Sequence, residues 1–252
     1  MTIKASVCID AVLAGRGLEE AMEVVARSGY QAFEFWCWWE KDLEQLLELR
    51  DRLQLKVAAT CTRFVSLVDP TCRDAYLQGL RESIAAAQRL ACPVLISQVG
   101  DARPGVARAE QRASMVAGLR AAAELLAGTD VTLAIEPLNE LVDHAGYYLI
   151  RSDEAFEVID EVASEHIKVT FDIYHQQISE GHLINNIVRH IDKIAHFHAA
   201  GNPGRHELTS GEINYPEVLK AIATTNYTGH FGLEYWPLQD AEMGLLQVAD
   251  WF

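Results

Sequence analysis

Leu133–Asn139 reads LAIEPLN, Val169–His175 reads VTFDIYH, Ile194–Gly201 reads IAHFHAAG and Phe231–Pro237 reads FGLEYWP. Each is a short apolar run ending at or near an acid or an imidazole: Glu136, Asp172, His198 and Glu234. These four residues are 36, 26 and 36 positions apart, about one strand-plus-helix unit each time. Strand ends repeated at that interval converge on one face of a parallel barrel. Three carboxylates and one imidazole meeting there can hold a divalent metal.

The same alternation covers the rest of the chain. Strand patterns occur over Ile3–Ile9, Gln31–Trp36, Leu55–Cys61, Pro93–Val99, Val131–Glu136, Ile167–Phe171, Ile194–Ala199 and His230–Glu234. Helical patterns occur over Leu18–Ser28, Lys41–Leu53, Asp74–Leu90, Ala107–Leu126, Leu183–Asp192 and Tyr215–Thr224, with a short closing helix over Asp240–Trp251. One more helix is expected to run to about Ala163, with Ser152 as its N-cap and Asp153 and Glu154 in its first turn. Several strands are compact apolar runs, as in sheets covered on both faces. The expected fold is α/β, a single (β/α)8 TIM barrel forming one domain over residues 1–252. An open doubly wound sheet is the fallback, but no GxGxxG follows the first strand.

Composition narrows the function classes. The chain has 252 residues, 36 acids against 21 bases and a formal charge of −15, a field that repels phosphate backbones and argues against nucleic-acid partners. Its five cysteines are widely spaced and form no CxxC pair, which reads as reduced thiols. The opening MTIKASVCID lacks signal-peptide architecture, and no run approaches the roughly 20 apolar residues of a membrane span. A cytoplasmic location without membrane contact is the expectation.

The ligand types constrain the metal. Oxygen donors suit Mg or Mn, and one imidazole is compatible with Mn, Co or Fe. The absence of sulfur argues against a structural zinc site. A polar residue at one strand end is as readily a helix N-cap. Four at consecutive strand ends are harder to account for that way, because crowded carboxylates repel unless a cation joins them. There is no GxSxG or Walker motif, and Cys8 as a nucleophile would need a base and a lowered pKa. Gln98, Cys8 and Cys61 fall near strand ends, and Trp36, Trp38, Trp39 and Trp236 flank two of them and can form an apolar wall.

Two longer stretches carry a resemblance. DIYHQQISEGHL at 172–183 and AGNPGRHELTSGEINYP at 200–216 resemble the hydroxypyruvate isomerase family. That family lies within the xylose-isomerase-like barrels, beside the ketose 3-epimerases and the apurinic endonucleases. EFWCWW at 34–39, EPLN at 136–139 and GLEYWP at 232–237 are similar too, so the resemblance spans nearly the whole chain. It implies one divalent ion on Glu136, Asp172, His198 and Glu234, with Mg or Mn favoured and Co, Fe or Zn compatible. It also implies proton transfer by Glu136 and Glu234, and substrate contact by His175, Arg205 and Trp36. The planar fork of Arg205 suits a carboxylate or a vicinal oxygen pair, while its plainer role is an ion pair with Glu207 or Glu212. His206 and Glu207 read as residues that pin this loop.

The implied reaction interconverts a small hydroxy-oxo acid or sugar, of the hydroxypyruvate/tartronate-semialdehyde type, through an enediolate. The alternative is a ketose 3-epimerase. Isomerases of the pattern often carry Gln where this chain has His198, and the 3-epimerases carry His. An apurinic-endonuclease-like nuclease would need more histidines at strand ends than His144, His166, His182, His190 and His230 offer. A non-catalytic sugar-binding barrel would not need all four ligands. A small molecule is the expected partner, and a homo-oligomer is compatible with the family.

Overall fold

Eight strands form in chain order: β1 (Lys4–Cys8), β2 (Ala32–Phe35), β3 (Lys56–Cys61), β4 (Val94–Ser97), β5 (Thr132–Ile135), β6 (Ile167–Asp172), β7 (Ile194–Ala199) and β8 (His230–Leu233). In this computed structural model, which describes residues 3–252, every strand pairs in parallel with the next and β8 closes on β1. The closed (β/α)8 barrel expected from the alternation is the observed one.

Two-residue periodicity sorts the strand side chains into two layers. Phe33, Phe35, Phe171, Phe197, Phe231 and Leu233 face outward into the main core beneath the helices, all at most 1% exposed. Phe197 meets Phe171 edge-on at 6.1 Å and lies at a tilt to Phe231 at 5.9 Å. Burying each such side chain stabilises the fold by roughly 1.5–3 kcal/mol. The alternate positions face the barrel interior. On the β3–β5 side they are Ala59, Cys61, Val94, Ile96 and Ala134, a small separate apolar cluster. On the opposite side they are Ser6, Glu34, Thr170, Asp172, His196 and His198, all buried and polar. The barrel therefore has a dry half and a polar half.

Observed helices follow the expected series with small boundary changes, among them Leu18–Arg27, Leu43–Arg52, Arg73–Leu90, Arg108–Leu126 and Tyr215–Ala223. Three expectations need correction. Ser152 is the first helical residue of Ser152–Val162 and makes no capping bond. Instead its N–H donates to Gln176 Oε1 at 3.0 Å and its hydroxyl to Glu180, so the helix start is tied to a neighbour. The expected Leu183–Asp192 helix ends at Arg189, followed by a 3₁₀ turn over Ile191–Lys193. A short helix, Ile173–Ser179, follows β6 directly where no element was expected, because Asp172 caps it. All five cysteines are free. Among the described residues, no helix is long and apolar enough to cross a membrane.

Candidate active site

Register places the site. Asp172 on β6 pairs with His198 on β7, and His198 pairs with Gly232 on β8. Glu136 and Glu234 each follow the last residue of their strand. All four residues are at most 6% exposed. His198 Nδ1 lies 2.9 Å from Glu136 Oε1 and 3.6 Å from Glu234 Oε2. Glu136, Asp172 and His198 each offer a ligand atom within 4.8 Å of the others.

Asp172 divides its oxygens. Oδ1 accepts from the N–H groups of Tyr174 (2.8 Å) and His175 (3.2 Å), a helix N-cap. Oδ2 faces the site, 3.8 Å from Arg205 Nη2. The plain N-cap reading of a strand-end acid thus holds for one oxygen, and the ligand reading is left to the other. Glu234 stands apart from the three-residue cluster. Its Oε1 accepts from Trp36 Nε1–H at 2.7 Å and its Oε2 from Arg205 Nη2 at 2.5 Å. Arg205 therefore pairs with Glu234 rather than with Glu207 or Glu212. Glu207 instead accepts from the N–H groups of Leu238 and Gln239, and His206 Nδ1–H donates to the Trp236 carbonyl, so both pin the loop as expected.

The sequence reading passed over Glu34 and His196. Glu34 Oε2 lies 2.8 Å from His196 Nε2, and Oε1 lies 2.9 Å from His198 Nε2. Ser6 donates to Glu34 Oε2 at 2.6 Å. These residues form a second buried acid–imidazole group one layer below the first, sharing His198. Its signal was legible: HFH puts two imidazoles on one strand face, and AFEF puts an acid between outward phenylalanines. Gly232 makes the space, because a Cβ there would stand 2.4 Å from Glu34 Oε1 and 2.8 Å from His198 Cδ2. Gly232→Ala is expected to cost about 1–3 kcal/mol in chemical denaturation. An unchanged unfolding free energy would show that Glu34 and His198 yield freely.

The electrostatics are those of acids packed around too few cations. Burial pushes Glu136 above the usual carboxylate range against the pull of His198, and burial raises Asp172 despite Arg205. Burial also works to raise Glu234, but His198, Arg205 and the Trp36 N–H outweigh it and hold the carboxylate low. His198 is pushed well up: burial opposes its charge, yet Glu234, Glu34 and Glu136 prevail. His175 is held well below its ordinary value by burial, Arg205 and His144, and stays neutral. Burial and the site acids raise Cys8 and Cys61 well above an ordinary thiol, so neither is an activated nucleophile.

The donor set fits a divalent ion. The 2.9 Å contact between His198 Nδ1 and Glu136 Oε1 needs either a ring proton or a metal between the two lone pairs. A metal would also remove the repulsion that lifts Glu136 and Asp172. Above this cluster lies a cavity of about 270 Å³. Trp36, Phe64, Leu138 and Trp236 form its apolar wall, and Glu136, His175, His198, Arg205 and Glu234 supply its polar groups. Gln98 and Cys61 also reach it, as does His144, which the sequence placed away from the strand ends. Trp38 and Trp39 do not line it: both pack beneath the Arg63 guanidinium, at 5.2 and 5.1 Å.

Known proteins match the chain over most of its length. The xylose isomerase-like TIM barrel family matches residues 22–252. Hydroxypyruvate isomerase of Escherichia coli is 32% identical over 232 residues, covering 88% of this chain and 89% of that protein. A 2-oxo-tetronate isomerase of Cupriavidus necator is 41% identical over 138 residues, covering 55% of this chain and 53% of that one. A solved structure described as AP endonuclease, family 2, from Brucella melitensis superposes with a TM-score of 0.93 over 99% of both chains. At 24% identity that likeness speaks for the fold alone. With the barrel closed and the acid–imidazole site at its mouth, the chain belongs to the hydroxypyruvate isomerase family of the xylose isomerase-like TIM barrels.

Proposed function

We propose that this protein is a divalent-metal-dependent isomerase of a small hydroxy-oxo acid. The observation that carries the reading is Glu234: a buried carboxylate held ionised by His198, Arg205 and Trp36, facing a small cavity beside the Glu136–Asp172–His198 cluster. The named activities of the Escherichia coli and Cupriavidus necator relatives, on hydroxypyruvate and 2-oxo-tetronate, agree in substrate class. Glu136, Asp172 and His198 would hold the ion, with Glu234 alongside. Its chemistry is Lewis acidity, which lowers the cost of negative charge on a neighbouring oxygen.

The residues of the chain do the rest. Glu234 takes the proton from the carbon bearing the hydroxyl, next to the carbonyl, which leaves an enediolate. In hydroxypyruvate the C3 proton leaves and a proton returns to C2. The C3 hydroxyl becomes the aldehyde and the C2 carbonyl becomes the hydroxyl, with no net oxidation. Glu136 is the second proton-transfer group. Arg205 presents its guanidinium edge to the substrate carboxylate, and Trp36 with Trp236 excludes water.

The test is a panel of hydroxy-oxo acids, tetroses, pentuloses and hexuloses with Mg, Mn or Co, followed by proton NMR in deuterated water. Turnover of an acid with deuterium at the exchanged carbon is expected. Turnover without deuterium would indicate a hydride shift, and activity on neutral ketoses alone would end the acid-isomerase reading. A second reading, epimerisation of a free ketose at C3, is favoured by His198, the imidazole of the 3-epimerase pattern. Arg205→Ala separates the two. We expect kcat/KM for the acid to fall about 10²-fold, and the acid-to-ketose preference to fall at least tenfold with it. An unchanged preference would remove Arg205 from carboxylate recognition.

A further inference from the structure

His175 faces the cavity, and the position of its proton can be traced from the backbone. The N–H groups of Val142 (2.9 Å) and Asp143 (3.3 Å) donate to Asn139 Oδ1. Backbone N–H groups cannot accept, so the carboxamide cannot be turned over. Its Nδ2 donates to Asp143 Oδ2 at 2.8 Å and meets His175 Nδ1 at 2.7 Å. The Asn139 backbone N–H donates to the same ring nitrogen at 3.2 Å. Two donors converging on Nδ1 leave no place for a proton there, so the ring is the neutral Nε2–H tautomer.

That Nε2 is fully buried and has no hydrogen-bond partner among the described residues. Asp172 Oδ2, at 3.6 Å, is beyond hydrogen-bond reach. The ring lines the cavity. A buried donor left unmet is destabilising, and an oxygen of a bound molecule would satisfy it. The surroundings hold the arrangement in place. Tyr174 O–H donates to Asp143 Oδ2 at 2.9 Å, and the Asp172 cap fixes the first turn that carries Tyr174 and His175.

We propose that Asn139 is a positioning residue that fixes His175 as a neutral Nε2–H donor to a hydroxyl or carbonyl oxygen of the substrate. The identity of that substrate as a hydroxy-oxo acid rests on the isomerase reading. The donor's aim does not. A ring fixed this way cannot serve as the base, so proton transfer stays with the glutamates. Its bond strengthens as the substrate oxygen gains negative charge, which is the stage at which a preset donor accelerates reaction.

The test is long-range proton–nitrogen NMR on protein labelled with ¹⁵N-histidine, with the His175 signals assigned by their loss in His175→Gln. Wild type is expected to show a protonated Nε2 and a bare Nδ1. Adding tartronate, an unreactive hydroxy acid, is expected to move the Nε2 signal. In Asn139→Asp a carboxylate oxygen stands where Nδ2 donated and outweighs the 3.2 Å backbone N–H that still meets Nδ1, so the ring proton is expected to move to Nδ1, with kcat/KM lowered about 10- to 100-fold. His175→Gln, which keeps an N–H donor, is expected to retain more turnover than His175→Leu. A wild-type ring protonated at Nδ1, an unchanged pattern in Asn139→Asp, or an Nε2 signal indifferent to tartronate would overturn the proposal. The expected tautomer and shift in a protein that turns over no hydroxy-oxo acid would support the positioning role and fail the isomerase reading alone.

Discussion

Glu234→Gln is expected to lower kcat about 10³-fold while the protein stays folded. General-base catalysis contributes roughly 10²–10⁴-fold, and an amide cannot take a proton from carbon. The substitution is close to isosteric. A Gln oxygen still accepts from Trp36 Nε1, so the 2.7 Å contact survives. What is lost is the charge that holds Arg205 at 2.5 Å. Some of the fall therefore comes from a displaced guanidinium, and Arg205→Ala measured beside Glu234→Gln separates the two effects. The direct measurement is deuterium exchange into bound substrate under single-turnover conditions. A loss below tenfold would take Glu234 out of proton transfer.

Removing the metal is expected to have an effect at least as large. Dialysis against a chelator should abolish turnover, and Mg, Mn or Co should restore it. Asp172→Asn should make the loss permanent. The variant keeps an Oδ1 to accept from Tyr174 and His175, so the cap of the Ile173–Ser179 helix survives and the fold stays intact. The oxygen that faces the site becomes an amide nitrogen, which does not coordinate a hard cation. Elemental analysis of the purified variant should show well under one ion per chain. A thermal melt gives a readout independent of activity: an ion at a hundred times its Kd stabilises wild type by about 2.7 kcal/mol, and Asp172→Asn should show no such shift. Full activity after exhaustive chelation would end the metal-dependent reading.

The fold was legible because its signal is local and repeated. Each strand is an apolar run bounded by a helix pattern, and the recurrence of that unit needs no tertiary contact to be seen. The missed pieces depended on contacts distant in sequence. Ser152 has the right side chain for an N-cap, but Gln176 and Glu180, more than twenty residues later, take its N–H and hydroxyl. The Ile173–Ser179 helix is too short to show periodicity and exists because the same Asp172 that faces the site also caps it. Trp38 and Trp39 look like pocket aromatics beside Trp36 until Arg63 is seen stacked on both.

Glu136, Asp172, His198 and Glu234 could be picked out from sequence because strand ends carry a one-dimensional address in a barrel. The partners of each could not. The eight-fold alternation, the four acid or imidazole groups at strand ends and the family can all be read along the chain. Barrel closure was needed to show that Glu234 is held by Arg205 and Trp36, apart from the three-residue cluster, and that Glu34 and His196 form a second layer beneath it. It also brought the Asn139 carboxamide onto His175 Nδ1. Closure and strand register bring β1, β2, β7 and β8 side by side. Hydrogen bonds across that junction join residues far apart in sequence, 198 positions in the case of Trp36 and Glu234.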